Sequence, residues 1–213
     1  MQPVFFALLS RMQNVQRWGK SNPTRTENVA EHSMQVALFA HALGLIRNRI
    51  FTEQPSVDAN LLAVLALFHD APEVLTEDVN SGIKYADPRM LSLCREMETI
   101  ATELLVKTAP EALQPDYQQL LQPHEADLLG AFVKAADLLS AYTKALAELR
   151  TGNLEFSQTE QKVLQALQPY CQRMPEVAWF MENLTGSFHL TIDDLVDIAF
   201  AGKTTDGMKK SEV

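Results

Sequence analysis

The stretch Leu61-Leu62-Ala63-Val64-Leu65-Ala66-Leu67-Phe68 is apolar on nearly every side and stops abruptly at His69-Asp70. A helix with no polar face has nothing to offer water, so it belongs at the centre of a fold. Around it, apolar residues recur at helical spacing over long segments, and alternating strand patterns are scarce. With 213 residues, 46% of them hydrophobic, the chain has the material for one large core. The expected fold class is all-α, a single helical bundle over residues 1–200, with a polar tail, 201–213, expected to be disordered.

Proline, glycine and capping residues divide the chain. Helices are predicted over residues 3–13 and 29–49, joined by a polar loop, 14–28. Ser56 is read as the N-cap of the central helix, with Asp58 in its first turn. Asn80-Ser81-Gly82 marks a loop, Pro88 opens a helix over 89–107, and Pro110 and Pro115 break up the next stretch. A long helix over 125–150 is stopped by Thr151-Gly152. Asn153 caps another helix, and a last one covers 176–183.

A net charge of −9 argues against a nucleic acid polymer as partner, which needs a basic face, but leaves room for a small anion held by a few Arg or Lys. Cys94 and Cys171 stand far apart in no metal-type spacing and read as reduced thiols. The N-terminal stretch is apolar but short and lacks the positive leader of a signal peptide. No apolar run reads as a bilayer span, so no membrane association and a cytoplasmic location are expected.

The chemistry-bearing residues are few. A His-Asp pair alone carries little information, since helices commonly end in polar residues that reach solvent. Here the pair terminates a buried helix, where a charge is costly without compensation. His32 lies on the preceding helix, and Asp137 is a lone acid within an apolar helical stretch. Three helices can thus offer two imidazoles and two carboxylates to one divalent cation. Such a site lowers the pKa of a coordinated water toward neutrality and makes it a nucleophile. Glu73 follows His69 by four positions, with Pro72 between them, so it is either an acid/base beside the site or a surface glutamate. His41 lies nine residues from His32 and faces away, at roughly 100° per residue. His124 lies thirteen residues, or roughly 20 Å, before Asp137 and is too far to share its metal. Spacing does not place His189.

His32, His69-Asp70 and Asp137 resemble the H…HD…D signature of the HD-domain metal-dependent phosphohydrolases. The resemblance extends to Arg17-Trp18, the segment from Arg25 through Thr26-Glu27-Asn28-Val29-Ala30-Glu31-His32 to Ser33, and His69-Asp70-Ala71-Pro72-Glu73-Val74-Leu75-Thr76. Lys84-Tyr85, Lys134-Ala135-Ala136-Asp137 and Ser187-Phe188-His189-Leu190 extend it further. On these motifs, nearly the whole chain to about residue 195 is similar to the bacterial 5′-deoxynucleotidase family. The resemblance implies a single HD-domain helical bundle, a homodimer, that hydrolyses deoxyribonucleoside 5′-monophosphates to deoxyribonucleosides and phosphate. It implies a divalent metal cation (Co, Mn, Fe, Zn or Cu) held by His32, His69, Asp70 and Asp137, with Glu73 as acid/base. Arg17 would orient the phosphate and Trp18 would lie against the sugar. His32, Asp78, Val79, Asn80 and Ser81 would meet the substrate. The resemblance departs after Asp78, where this chain has Val79-Asn80-Ser81-Gly82 and a member of that family has a segment rich in Pro and Thr. An Arg fork suits two phosphate oxygens, and a rigid indole can crowd a ribose 2′-hydroxyl.

Two other readings compete. One keeps the metal site but changes the substrate to a cyclic nucleotide, a nucleoside triphosphate or guanosine tetraphosphate. The short chain and the few basic residues near the motifs favour a monophosphate. The other is a helical nucleotide sensor with a dead site, which predicts a missing ligand or a missing Glu73; all five residues are present.

Overall fold

The computed structural model describes residues 2–122 and 127–207, apart from the side chains of Ser81 and of residues 202–207. Eleven α-helices are found among them: α1 (Phe5–Leu9), α2 (Val29–Ile50), α3 (Ala59–Phe68), α4 (Glu73–Thr76), α5 (Ser81–Lys84), α6 (Pro88–Lys107), α7 (Gln114–Leu121), α8 (Leu128–Arg150), α9 (Ser157–Arg173), α10 (Pro175–Asn183) and α11 (Ile192–Gly207). Among the described residues there is no strand, only an isolated bridge between Gln16 and Asn28. The all-α class holds.

Local chemistry sets the boundaries. Asn28 and Glu31 form a reciprocal capping box that starts α2. Asp58, not the expected Ser56, caps α3, its carboxylate accepting the Asn60 and Leu61 amides. Asp127 caps α8 by accepting the Gly130 amide, so that helix starts at Leu128; residues 123–126, His124 among them, lie outside the described residues. Gly152, at φ 85°, ends the same helix in the left-handed conformation that suits glycine. The predicted first helix is split into α1 and a 3₁₀ turn, Ser10–Asn14. Asn153 caps the 3₁₀ turn Leu154–Phe156, which runs directly into α9. The segment after Gly202, expected to be disordered, is helical through Gly207 as part of α11; residues 208–213 lie outside the described residues.

Two apolar clusters hold the bundle together. The larger joins α2, α3, α8, α9 and α10 through residues such as Leu43, Leu62, Phe132, Leu139, Leu167 and Phe180. Each such side chain stabilises the fold by about 1.5–3 kcal/mol on burial. Gly44 allows α2 and α3 to approach closely: a Cβ there would lie 2.9 Å from that of Ala59. The smaller cluster joins α1, the start of α2, α6 and Leu121 through Phe5, Val29, Ala71 and Leu105. His32 lies between Val29 of one cluster and Val36 of the other, so it sits at their seam. By length and mean hydropathy, 1.2, α2 reaches the range of a bilayer span, which the sequence reading did not expect. Half of it is buried against α3, α8 and α10, as befits a core helix. Cys94 and Cys171 are free thiols.

Candidate active site

The seam between the clusters gathers the predicted residues. α2 supplies His32, the end of α3 supplies His69 and Asp70, and α8 supplies Asp137. His32 Nε2 lies 3.1 Å from Asp137 Oδ1 and 3.5 Å from Asp70 Oδ2, while His69 Nε2 lies 3.2 Å from that same Asp70 oxygen. The ligand atoms of His32, His69 and Asp70 all fall within 4.8 Å of one another, close enough to hold one metal ion. Pro72, lacking an N–H, breaks the chain between α3 and α4.

Hydrogen bonds on the far side of each ring decide which nitrogen is free. His69 Nδ1 faces the Ala66 carbonyl at 2.6 Å, and a carbonyl only accepts, so Nδ1 carries the proton. His32 Nδ1 lies 3.1 Å from Ser140 Oγ, whose own proton goes to Gln35 Oε1 at 2.6 Å. The imidazole therefore donates to Ser140 from Nδ1. In both rings Nε2 is the nitrogen that faces the acids, buried and without a hydrogen-bond partner. Buried polar atoms rarely stay unpaired, so two of them converging on one carboxylate fit a cation site.

Charge is balanced tightly around these atoms. Burial alone would push Asp137 up, but the Lys134 ammonium, 2.6 Å from Oδ2, and His32 hold it well below the usual carboxylate range. Burial likewise opposes ionisation of Asp70, and His69, His32 and Arg17 outweigh it. Glu73 responds the opposite way: burial, then the negative charges of Asp70 and Asp78, push it up to about 9. Its Oε2 is buried and unpartnered. Pro72 thus does not turn Glu73 out to the surface; α4 keeps it beside the acids.

Arg17 and Trp18 stand at the start of the loop 15–28. Arg17 donates from Nη1 to Asp70 Oδ2 at 3.1 Å, and its Nε lies 3.5 Å from Glu27 Oε1. Trp18 Nε1 donates to Glu27 Oε2 at 2.9 Å. The other Glu27 oxygen lies 3.4 Å from His32 Nδ1. A cleft of about 1470 Å³ opens here, lined by Arg17, Trp18, Asp78, Val79, Asn80 and Asp137 among others. α9 closes its other side with Thr159, Lys162 and Val163. Trp18 and Glu77, at φ 62° and 60°, are the non-glycine residues with positive φ among the described residues, and both line this cleft. Each such conformation costs about 1–3 kcal/mol and concentrates where function requires it.

Ser81 begins α5 at the cleft's edge, and its side chain lies outside the described residues. His189 is exposed on the 3₁₀ turn Thr185–His189, and His41 does not belong to the His/Asp group. Glu27, Lys134, Ser140 and Gln35 had no role in the sequence reading. Lys134 was accessible, being three residues before Asp137 on one helix face. The Ser140–Gln35 relay spans 105 residues and left no local signal.

The same all-helical fold is found in solved HD-domain phosphohydrolases. An HD-domain phosphohydrolase from Listeria innocua superposes with a TM-score of 0.76 at 24% identity, covering 86% of this chain and 87% of that one. A cyanophage S-2L HD phosphohydrolase, solved bound to dA and one catalytic Zn2+ ion, superposes with a TM-score of 0.59 at 18% identity, over 85% of this chain and 96% of that one. Within that class the chain belongs to the YfbR-like 5′-deoxynucleotidase family, whose sequence model matches residues 4–188. The 5′-deoxynucleotidase of Yersinia pestis (strain Pestoides F) is 41% identical over 192 residues, 90% of this chain and 95% of the relative. A 5′-deoxynucleotidase of Yersinia pseudotuberculosis serotype O:1b matches to the same extent.

Proposed function

We propose that this protein is a metal-dependent 5′-nucleotidase that hydrolyses deoxyribonucleoside 5′-monophosphates to deoxyribonucleosides and phosphate. The observation that carries the reading is the pair of buried, unpaired Nε2 atoms of His32 and His69 converging on Asp70 beside Arg17 and Glu73. Membership of the 5′-deoxynucleotidase family supports the substrate class. His32, His69, Asp70 and Asp137 would hold the divalent cation, one of Co, Mn, Fe, Zn or Cu. Bound there, such a cation would supply Lewis acidity toward the phosphoryl group and toward a water.

Arg17 meets the phosphate with the N–H groups it does not give to Asp70, so the anion is oriented by a guanidinium already held by its ion pairs to Asp70 and Glu27. Trp18 forms the wall against the sugar, and Asp78, Val79, Asn80 and Ser81 meet the substrate. Glu73 holds a proton at neutral pH and delivers it to the 5′-oxygen as the P–O bond breaks, so the nucleoside leaves as an alcohol. The enzyme acts in the cytoplasm as a homodimer.

The test is phosphate release from a panel of nucleotides in chelated and metal-reconstituted protein. Deoxyribonucleoside 5′-monophosphates are expected to react, and triphosphates and cyclic nucleotides are not. His69→Ala and Asp137→Ala are each expected to abolish the metal-dependent rate while circular dichroism stays helical. Near-normal turnover in either variant removes the metal-site assignment.

A further inference from the structure

Glu148, in the last turn of α8, is only 1% exposed and has no part in the chemistry above. A carboxylate is costly to bury unless donors surround it, and this one is surrounded. Its Oε2 accepts the Thr24 amide at 2.7 Å, the Thr24 hydroxyl at 2.8 Å and Asn153 Nδ2 at 3.0 Å. Its Oε1 accepts Lys144 Nζ at 2.5 Å and the Arg25 amide at 3.4 Å. Burial raises its pKa, but Lys144, Thr24 and Asn153 outweigh burial and bring it down to about 2. The two side-chain donors also reach the loop directly: Lys144 Nζ donates to the Arg25 carbonyl at 2.6 Å, and Asn153 Nδ2 to that of Asn22 at 2.9 Å. The tip of the loop, residues 22–25, is thus fastened to α8 through one carboxylate and its two partners.

The base of the loop is fastened independently. The Arg17 amide donates to the Glu27 carbonyl at 2.9 Å and the Val29 amide to that of Val15 at 3.0 Å. Trp18 lies between these two fastenings, in the left-handed conformation. Its ring packs against Phe156, with centroids 5.4 Å apart, in the turn that Asn153 caps.

We propose that Glu148 is a positioning residue for the nucleotide: by fastening the loop tip to α8 and Asn153, it holds the Trp18 indole against Phe156 and so shapes the wall that meets the sugar. The substrate half of this inference rests on the reading of Trp18 given above. Arg17, next to the separately bonded base of the loop, keeps its place without Glu148, so the phosphate remains oriented. Loss of the carboxylate therefore acts on KM more than on kcat.

The experiment uses Glu148→Gln in a Trp179→Phe background, which leaves Trp18 as the sole tryptophan. Iodide quenching of Trp18 fluorescence is expected to rise about twofold, and KM for dAMP about tenfold, while kcat stays within about threefold. Helicity and metal content should match the parent. A residue that only stabilised the fold would lower the melting temperature and leave Trp18 quenching in the folded protein unchanged. Unchanged quenching and KM in a folded, metal-loaded Glu148→Gln protein overturn the proposal. Raised quenching with unchanged KM overturns its substrate half and traces the failure to the reading of Trp18. Thr24→Val removes only the hydroxyl donor and should shift both readouts in the same direction. If Glu148→Gln does not fold, unchanged values in Thr24→Val overturn the proposal.

Discussion

The Glu27 carboxylate lies 3.4 Å from His32 Nδ1, on the face of the imidazole opposite the His–Asp cluster. Its second oxygen accepts the Trp18 indole N–H. One acid therefore touches both a proposed metal ligand and the proposed sugar wall. A carboxylate behind a ligating histidine fixes the ring and raises its basicity, and loss of such a partner costs about 10–100-fold in metal affinity. Glu27→Gln, which retains an oxygen for Trp18, is expected to weaken metal binding by about tenfold, read by calorimetric titration of the chelated protein. Affinity within twofold of wild type would leave Glu27 as an anchor for Trp18 alone.

Glu73 is held protonated by burial and by Asp70 and Asp78, and its Oε2 has no partner. If it delivers the proton, Glu73→Ala should lower kcat by about 10²–10⁴-fold. Metal content, measured by elemental analysis, should stay that of wild type. Loss of metal together with activity would make Glu73 a ligand or a support for one.

The site was legible in the sequence where polar residues interrupt apolar helical runs. His69-Asp70 ends a helix with no polar face, and Asp137 stands alone between Ala136 and Leu138, so each needed a compensating partner. Glu27 was hidden because it sits among Thr26, Asn28 and Glu31, a run already explained by the capping of α2. Glu148 was hidden because its partners on the loop lie 123 and 124 residues away. Ser56 and Asp58 are both good caps, and only the carboxylate contacts with Asn60 and Leu61 tell them apart. α11 escaped because its acids and exposed apolar residues, such as Ile192, Ile198 and Phe200, gave no inward face to read.

Glu148 also sets an acid limb of stability. Its folded pKa, about 2, lies below its ordinary value of 4.5, so the folded state binds the proton more weakly than the unfolded chain. The stabilisation is fully present above 4.5 and is lost as pH falls from there toward 2. Glutamine does not titrate. The gap in melting temperature between wild type and Glu148→Gln should therefore be wide at pH 6 and narrow at pH 3. An equal gap at both values would mean that Glu148 titrates normally.

Arg17 and Trp18 are neighbours in the chain but divide the substrate between them. Arg17 is tied to Asp70 at 3.1 Å, next to the metal cluster, so its free N–H groups serve the phosphate that every nucleotide shares. Trp18 is tied to Glu27 and packed on Phe156, and its indole offers an apolar face. Arg17→Ala should therefore lower kcat/KM for dAMP and AMP alike, by about 10²-fold for a lost positioning group. Trp18→Ala should instead narrow the ratio between them, because a wall that crowds a 2′-hydroxyl discriminates by repulsion. Steady-state kinetics on this matched pair, in wild type and both variants, separates the two roles. If Trp18→Ala lowers both substrates equally, the indole is a packing residue. Selection against ribose then falls to Asp78 and the segment Val79-Asn80-Ser81-Gly82 after it.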